Sequence, residues 1–121
     1  MRDQPTGEAL LASASSLLRN EVLPSLAAEQ KYSLLMALNA MSIAQRQLKY
    51  GDAPEAQELA KLNILLGEDF QSTQSANMKL AELLRAGAGD PGQPMRSALL
   101  LHLQEVGKQR LLESNPKALN N

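Results

Sequence analysis

Ala28-Glu29-Gln30-Lys31-Tyr32-Ser33-Leu34-Leu35-Met36-Ala37-Leu38-Asn39-Ala40-Met41-Ser42-Ile43-Ala44-Gln45-Arg46-Gln47-Leu48-Lys49-Tyr50, followed by Gly51, is the stretch that decides the fold. At about 100° per residue, Leu34, Ala37, Met41, Ala44 and Leu48 line one side of a helix, while Leu35, Met36, Ala40 and Ile43 line much of the other. Gly51 supplies a natural end, because glycine enters left-handed backbone without a steric penalty. A helix apolar nearly all round is expected to be buried on most of its sides.

The rest of the chain has the same character. Twenty-four leucines and seventeen alanines stand against two valines, two isoleucines and two threonines. β-branched residues favour pleated sheets and lose rotamer freedom in helices, whereas Leu and Ala lie at the favourable end of helix propensity. Upstream, Thr6 is a good N-cap with Glu8 in the first turn, and Leu10, Leu11, Ala14, Leu17, Leu18 and Val22 recur at helical spacing until Pro24 closes the segment near Leu23. Downstream, Asp52, Pro54 and Glu55 announce a helix over about Ala53 to Leu66, ended by Gly67. A fourth helix should start between Asp69 and Ser72 and reach Ala86, before the glycine-rich stretch Gly87 to Gly92, the longest and most mobile connection expected. A fifth should begin at Pro94, carry Leu99, Leu103, Val106 and Leu111, and stop before Asn115-Pro116. The expected architecture is all-α: one domain over residues 1–121, a compact antiparallel bundle of about five helices without an internal repeat.

Composition also excludes chemistry. Twelve Lys plus Arg against thirteen Asp plus Glu leave a formal charge of −1, so no global field recruits nucleic acid or an anionic membrane. Tyr32, Tyr50 and Phe70 are the only aromatics, too few for a base-stacking platform. No apolar run approaches the roughly 20 residues that span a bilayer. Met1-Arg2-Asp3-Gln4-Pro5 lacks the apolar core of a secretory signal, and the absence of cysteine suits a reducing compartment, so a cytoplasmic location is expected. Without cysteine, and with His102 as the sole histidine, neither a sulfur-built zinc site nor a two-imidazole site is available, and no metal or other cofactor is expected. His102 reads as a packed residue at the edge of the fifth helix's apolar face, since no Ser, Cys or Asp at a recognisable spacing accompanies it. Glu68-Asp69 lacks the alternating spacing of a calcium loop, and Gly87, Gly89 and Gly92 have no following Lys-Ser or Lys-Thr to make a phosphate loop. The chain is not expected to be an enzyme.

The distinctive residues lie on the second helix. Tyr32, Asn39, Arg46 and Tyr50 fall within about 40° of one line along a mostly apolar stripe. If that stripe is buried, each needs a partner, because an unpaired buried amide or guanidinium costs about 1–3 kcal/mol or more. Two readings stand side by side. In one, Asn39 and Arg46 are internal struts, Arg46 pairing with a carboxylate such as Glu21 or with helix C-terminal carbonyls. In the other, the four residues line a ligand pocket or docking groove, with the planar fork of Arg46 holding a carboxylate or phosphate.

Asp3-Gln4-Pro5-Thr6, Glu21-Val22-Leu23-Pro24, the pattern Ala37-Leu38-Asn39-Ala40 to Arg46, and Leu112-Glu113-Ser114-Asn115-Pro116-Lys117 together resemble a small bacterial family of unknown function, along nearly the whole chain. The helix-two motif of that family commonly reads Arg-Glu, where Gln47 follows Arg46 here. The resemblance implies genes placed beside aminoglycoside-phosphotransferase-like kinases and acyl-CoA dehydrogenases, and so an accessory role in acyl-CoA or hydroxy-acid catabolism. The expected function is a non-catalytic accessory protein, binding such a partner or a second copy of itself through a leucine-rich face edged by Arg46 and Tyr50. The alternative is a module holding an acyl-CoA or phosphorylated metabolite between its helices, anchored by Arg46.

Overall fold

The computed structural model describes residues 4–120. Met1-Arg2-Asp3, part of the stretch read against a secretory signal and of the family resemblance, lies outside the described residues. Among the described residues there are five α-helices and no strand: α1 (Gly7–Leu17), α2 (Ala28–Tyr50), α3 (Ala53–Leu66), α4 (Thr73–Arg85) and α5 (Arg96–Ser114). The all-α expectation holds, and the bounds of α2 and α3 fall where propensity and glycine placed them. Gly51 (φ 65°) and Gly67 (φ 68°) end these two helices in backbone that an L-residue rarely adopts.

The helices group into two units, one formed by the chain through Gly51 with the stretch from Leu112 onward, the other by Asp52–Leu111. In the first, α1 and α2 form an antiparallel hairpin. A Cβ at Gly7 would stand 3.8 Å from Leu48 Cδ1, so the start of α1 meets the end of α2. Thr6 caps α1, its Oγ1 accepting from the Ala9 amide at 3.1 Å. Beyond Leu17 the chain departs from the expected straight helix to Leu23: Leu18–Val22 form a π-turn and Leu23–Ser25 a 3₁₀ turn. The wider turn lets the Leu23 amide reach back to the Leu18 carbonyl just before Pro24, which has no N–H to continue the ladder.

The second unit carries the apolar core. Leu62 of α3, Ala76 and Leu80 of α4, and Leu99 of α5 are buried together, with Leu59, Leu65, Leu66, Phe70, Ala88 and Met95 packed against them. Polar side chains tie its elements. Asn63 clamps the α3–α4 link, Oδ1 accepting from the Phe70 amide at 2.9 Å and Nδ2 donating to the Phe70 carbonyl at 3.2 Å. Glu58 Oε1 accepts from Asn77 Nδ2 of α4 at 3.3 Å and from Arg110 Nη2 of α5 at 3.4 Å. Lys61 on α3 pairs with Glu105 on α5 at 3.0 Å.

Three local expectations are revised here. Asp52 does not cap α3 with its side chain, because its backbone is right-handed helical (φ −89°, ψ −7°) rather than extended. α4 takes Ser72 as its cap, within the stretch expected for its start, the hydroxyl accepting from the Ser75 amide at 3.2 Å, whereas α5 starts at Arg96, two residues after Pro94. Gly87 to Gly92 forms a tight series of turns: the Ala88 amide bonds the Leu83 carbonyl at 3.0 Å, and Arg96 Nη1 donates to the Gly89 carbonyl at 2.7 Å. Ala88 packs on the core, and a Cβ at Gly89 would come within 3.1 Å of Leu84 Cδ2. These bonds and this packing, rather than chain length, set the order of the segment.

Candidate functional site

Helix α2 is not buried on most sides, contrary to the expectation from its all-round apolarity. Leu38 alone is fully buried on it, at 1% exposure. α1 covers one side, where Leu34, Met41 and Ala44 are half-buried. The opposite line runs through Tyr32, Met36, Asn39, Ile43, Arg46 and Tyr50 at alternating spacings of four and three, the repeat that keeps side chains on one seam of a helix. Its first half faces solvent: Tyr32 is 68% exposed, Met36 56% and the neighbouring Leu35 44%, with Asn39 and Ala40 exposed as well. Ile43 and Arg46 are half-buried, and Tyr50 lies at the exposed end.

Burial therefore does not impose the polar bookkeeping foreseen for this line. Water reaches Tyr32 and Asn39, so neither needs an internal partner to avoid a desolvation cost. Arg46 is the exception. Its Nη1 donates to the main-chain carbonyl of Glu113, in the last turn of α5, rather than to the carboxylate of Glu21. The final carbonyls of a helix lack intrahelical donors and carry the negative end of its dipole, so a guanidinium there satisfies an acceptor and balances the field. Of the four singled-out residues, three share an open face and the fourth holds the end of another helix. Sequence spacing revealed their common line. It held no sign that Glu113, 67 positions away, would be the acceptor.

The other candidates do not assemble into a site of their own. His102 is buried on α5 beside Leu99, as a packed residue would be. Asp69 accepts weakly from Asn63 at 3.5 Å within the α3–α4 link. Among the described residues no three His, Asp or Glu side chains gather as a metal site would require. No helix there is long and apolar enough to cross a membrane. An open depression on α1 and the π-turn, lined by Ala12, Ser13, Ser16, Leu17, Asn20 and Glu21, is shallow and solvent-facing, and nearby Ser15 Oγ is buried without a hydrogen-bond partner. The π-turn was invisible in the sequence, since no residue type specifies a single wide turn.

The exposed α2 line offers one kind of chemistry: apolar and aromatic contact with a few adaptable hydrogen-bonding groups, the composition of a recognition surface. No curated protein and no solved structure matches the chain. A family model described as a domain of unknown function (DUF6285) matches residues 24–118, from the turn before α2 to the 3₁₀ turn Pro116–Asn120 that follows α5. This is in keeping with the family resemblance seen in the residues, and the chain belongs to the DUF6285 family.

Proposed function

We propose that this protein is a non-catalytic accessory module of the cytoplasm that docks a protein partner through the outer face of α2. The observation that carries the reading is the run of Tyr32, Leu35 and Met36, three large side chains left in solvent on consecutive turns of a long helix. Contiguous apolar surface of this kind is costly in water and on soluble proteins marks an interaction site. The partner class follows from the family resemblance: a phosphotransferase-like kinase or an acyl-CoA dehydrogenase encoded beside it. The face suits such a partner because an aromatic anchor fills a groove while flexible Met and Leu neighbours adapt to its irregular walls. The metabolite-binding alternative is less well supported, since the guanidinium it requires as anchor already holds the Glu113 carbonyl.

The test mixes the purified chain with the purified kinase or dehydrogenase and measures affinity by calorimetry. Leu35→Arg and Met36→Glu, both at exposed positions, should leave the circular dichroism spectrum intact and weaken binding by at least about tenfold, roughly 1.4 kcal/mol. Failure to bind either partner, or affinity indifferent to both substitutions, overturns the proposal.

A further inference from the structure

We infer that the α1–α2 hairpin is a conformational switch, opening as a unit while α3, α4 and the core they carry stay folded. Burial is shared unequally between the two units. Among the described residues, four of the five buried apolar side chains, Leu62, Ala76, Leu80 and Leu99, belong to the second unit and form one cluster, whereas the hairpin contributes Leu38 alone. Leu10 and Leu17 on α1, and Met36 and Leu48 on α2, are each more than half exposed. These exposures are those in the whole chain, so the hairpin taken by itself is covered no better. Folding must offset the lost backbone entropy of every ordered residue, and for a helix that offset comes mainly from packing an apolar face rather than from propensity. α1 and α2 order 11 and 23 residues around one fully buried side chain.

Local features of the hairpin point the same way. Ser15 shares the half-buried side of α1 with Leu11 and Leu18, and its Oγ is buried without a hydrogen-bond partner. α2 is the helix packed on α1, so closing the hairpin takes this hydroxyl out of water without replacing its hydrogen bonds, and opening restores them. The joint between the helices is a π-turn followed by a 3₁₀ turn at Pro24, and α2 begins after Ala27 with no side chain capping its first turn. The second unit is built in the contrary manner. Asn63 clamps the α3–α4 link, Ser72 caps α4, and Glu58 accepts from both Asn77 and Arg110. Segments with little buried apolar surface open at lower free energy than a clamped core, and they do so in contiguous cooperative units.

The line from Tyr32 to Tyr50 is carried on this unit. On the docking reading proposed above, opening removes the surface, and a partner that binds only the closed form draws the hairpin shut by mass action. The opening itself does not depend on that reading.

Native-state hydrogen exchange of the purified full chain, read amide by amide in a series of low urea concentrations, tests this without any other protein. Amides in the middle turns of α1 and α2 should be at least about a hundredfold less protected than those around Leu62 and Leu80, and their exchange should respond less to urea because opening the hairpin exposes less surface than global unfolding. Ala76→Gly, at a buried position of α4, should lower protection in α3 and α4 by about fivefold or more and leave α1 and α2 unchanged. Leu38→Ala should strip protection from α1 and α2 while α3 and α4 stay protected. Equal protection in the two units, an equal fall in both with Ala76→Gly, or loss of protection throughout the chain with Leu38→Ala overturns the inference. Because Ala76→Gly removes a single methyl group, it remains informative even where Leu38→Ala leaves the hairpin wholly open. A failed kinase or dehydrogenase titration leaves these results untouched, so the two proposals fall separately.

Discussion

Replacing Arg46 by alanine removes a cation from the end of another helix. In the native chain its guanidinium donates to the Glu113 carbonyl while its stem is half-buried along α2. A hydrogen bond involving a charged group contributes about 1.5–3 kcal/mol when well shielded, and a cation at a helix C-terminus typically 0.3–1 kcal/mol. Partial exposure of Arg46 screens both and moves the combined effect toward the lower end, to about 1–2 kcal/mol. Arg46→Lys should recover part of that, since an ammonium still complements the dipole but lacks the planar fork, and Arg46→Met should recover only the packing of the stem. Urea denaturation followed by circular dichroism gives the three values directly, with the m-value reporting whether the denatured or native state has changed. Raised salt should shrink the Arg–Lys difference from alanine but not the methionine value. The reasoning is refuted if Arg46→Ala costs less than about 0.5 kcal/mol while abolishing partner or metabolite binding, for then Arg46 is an anchor and not a strut.

Two further outcomes test the second unit. Leu62→Ala deletes a fully buried side chain at the centre of a small core and should cost about 2–5 kcal/mol in urea denaturation, whereas Ile64→Ala, on the exposed side of the same helix, should cost well under 1 kcal/mol; similar values at the two positions would show that the core has been misplaced. Asn63→Ala leaves the Phe70 amide and carbonyl without their side-chain partners and should destabilise by about 1–3 kcal/mol, with faster hydrogen exchange at the Phe70 amide as the local readout; unchanged exchange there would remove the clamp from the account.

Helix identity was legible in the residues because it is a local property. Leucine and alanine excess, Thr6 before α1, and Gly51 and Gly67 after α2 and α3 act within a turn or two of where they stand, so the order and type of all five elements could be read without tertiary contacts. Caps were read less well. Asp52 has the composition of an N-cap but not the extended backbone that would turn its carboxylate toward the helix.

Burial was the part that amphipathic reading could not reach. The nearly all-round apolarity of α2 calls for neighbours on most sides, yet apolarity says only that contact would be favourable, not that the chain possesses a surface to provide it. What the amino-acid sequence determined by itself is a string of helices, the ends of α2 and α3, and a line of four polar residues on the second of them. Only the tertiary structure decided that Leu62, Ala76, Leu80 and Leu99 form the core, that Arg46 reaches Glu113, and that Tyr32 and Met36 on α2 are left in water. The physical reason is that propensity and capping are summed over neighbours a few residues apart, whereas burial depends on which distant segments arrive, and these side chains received none.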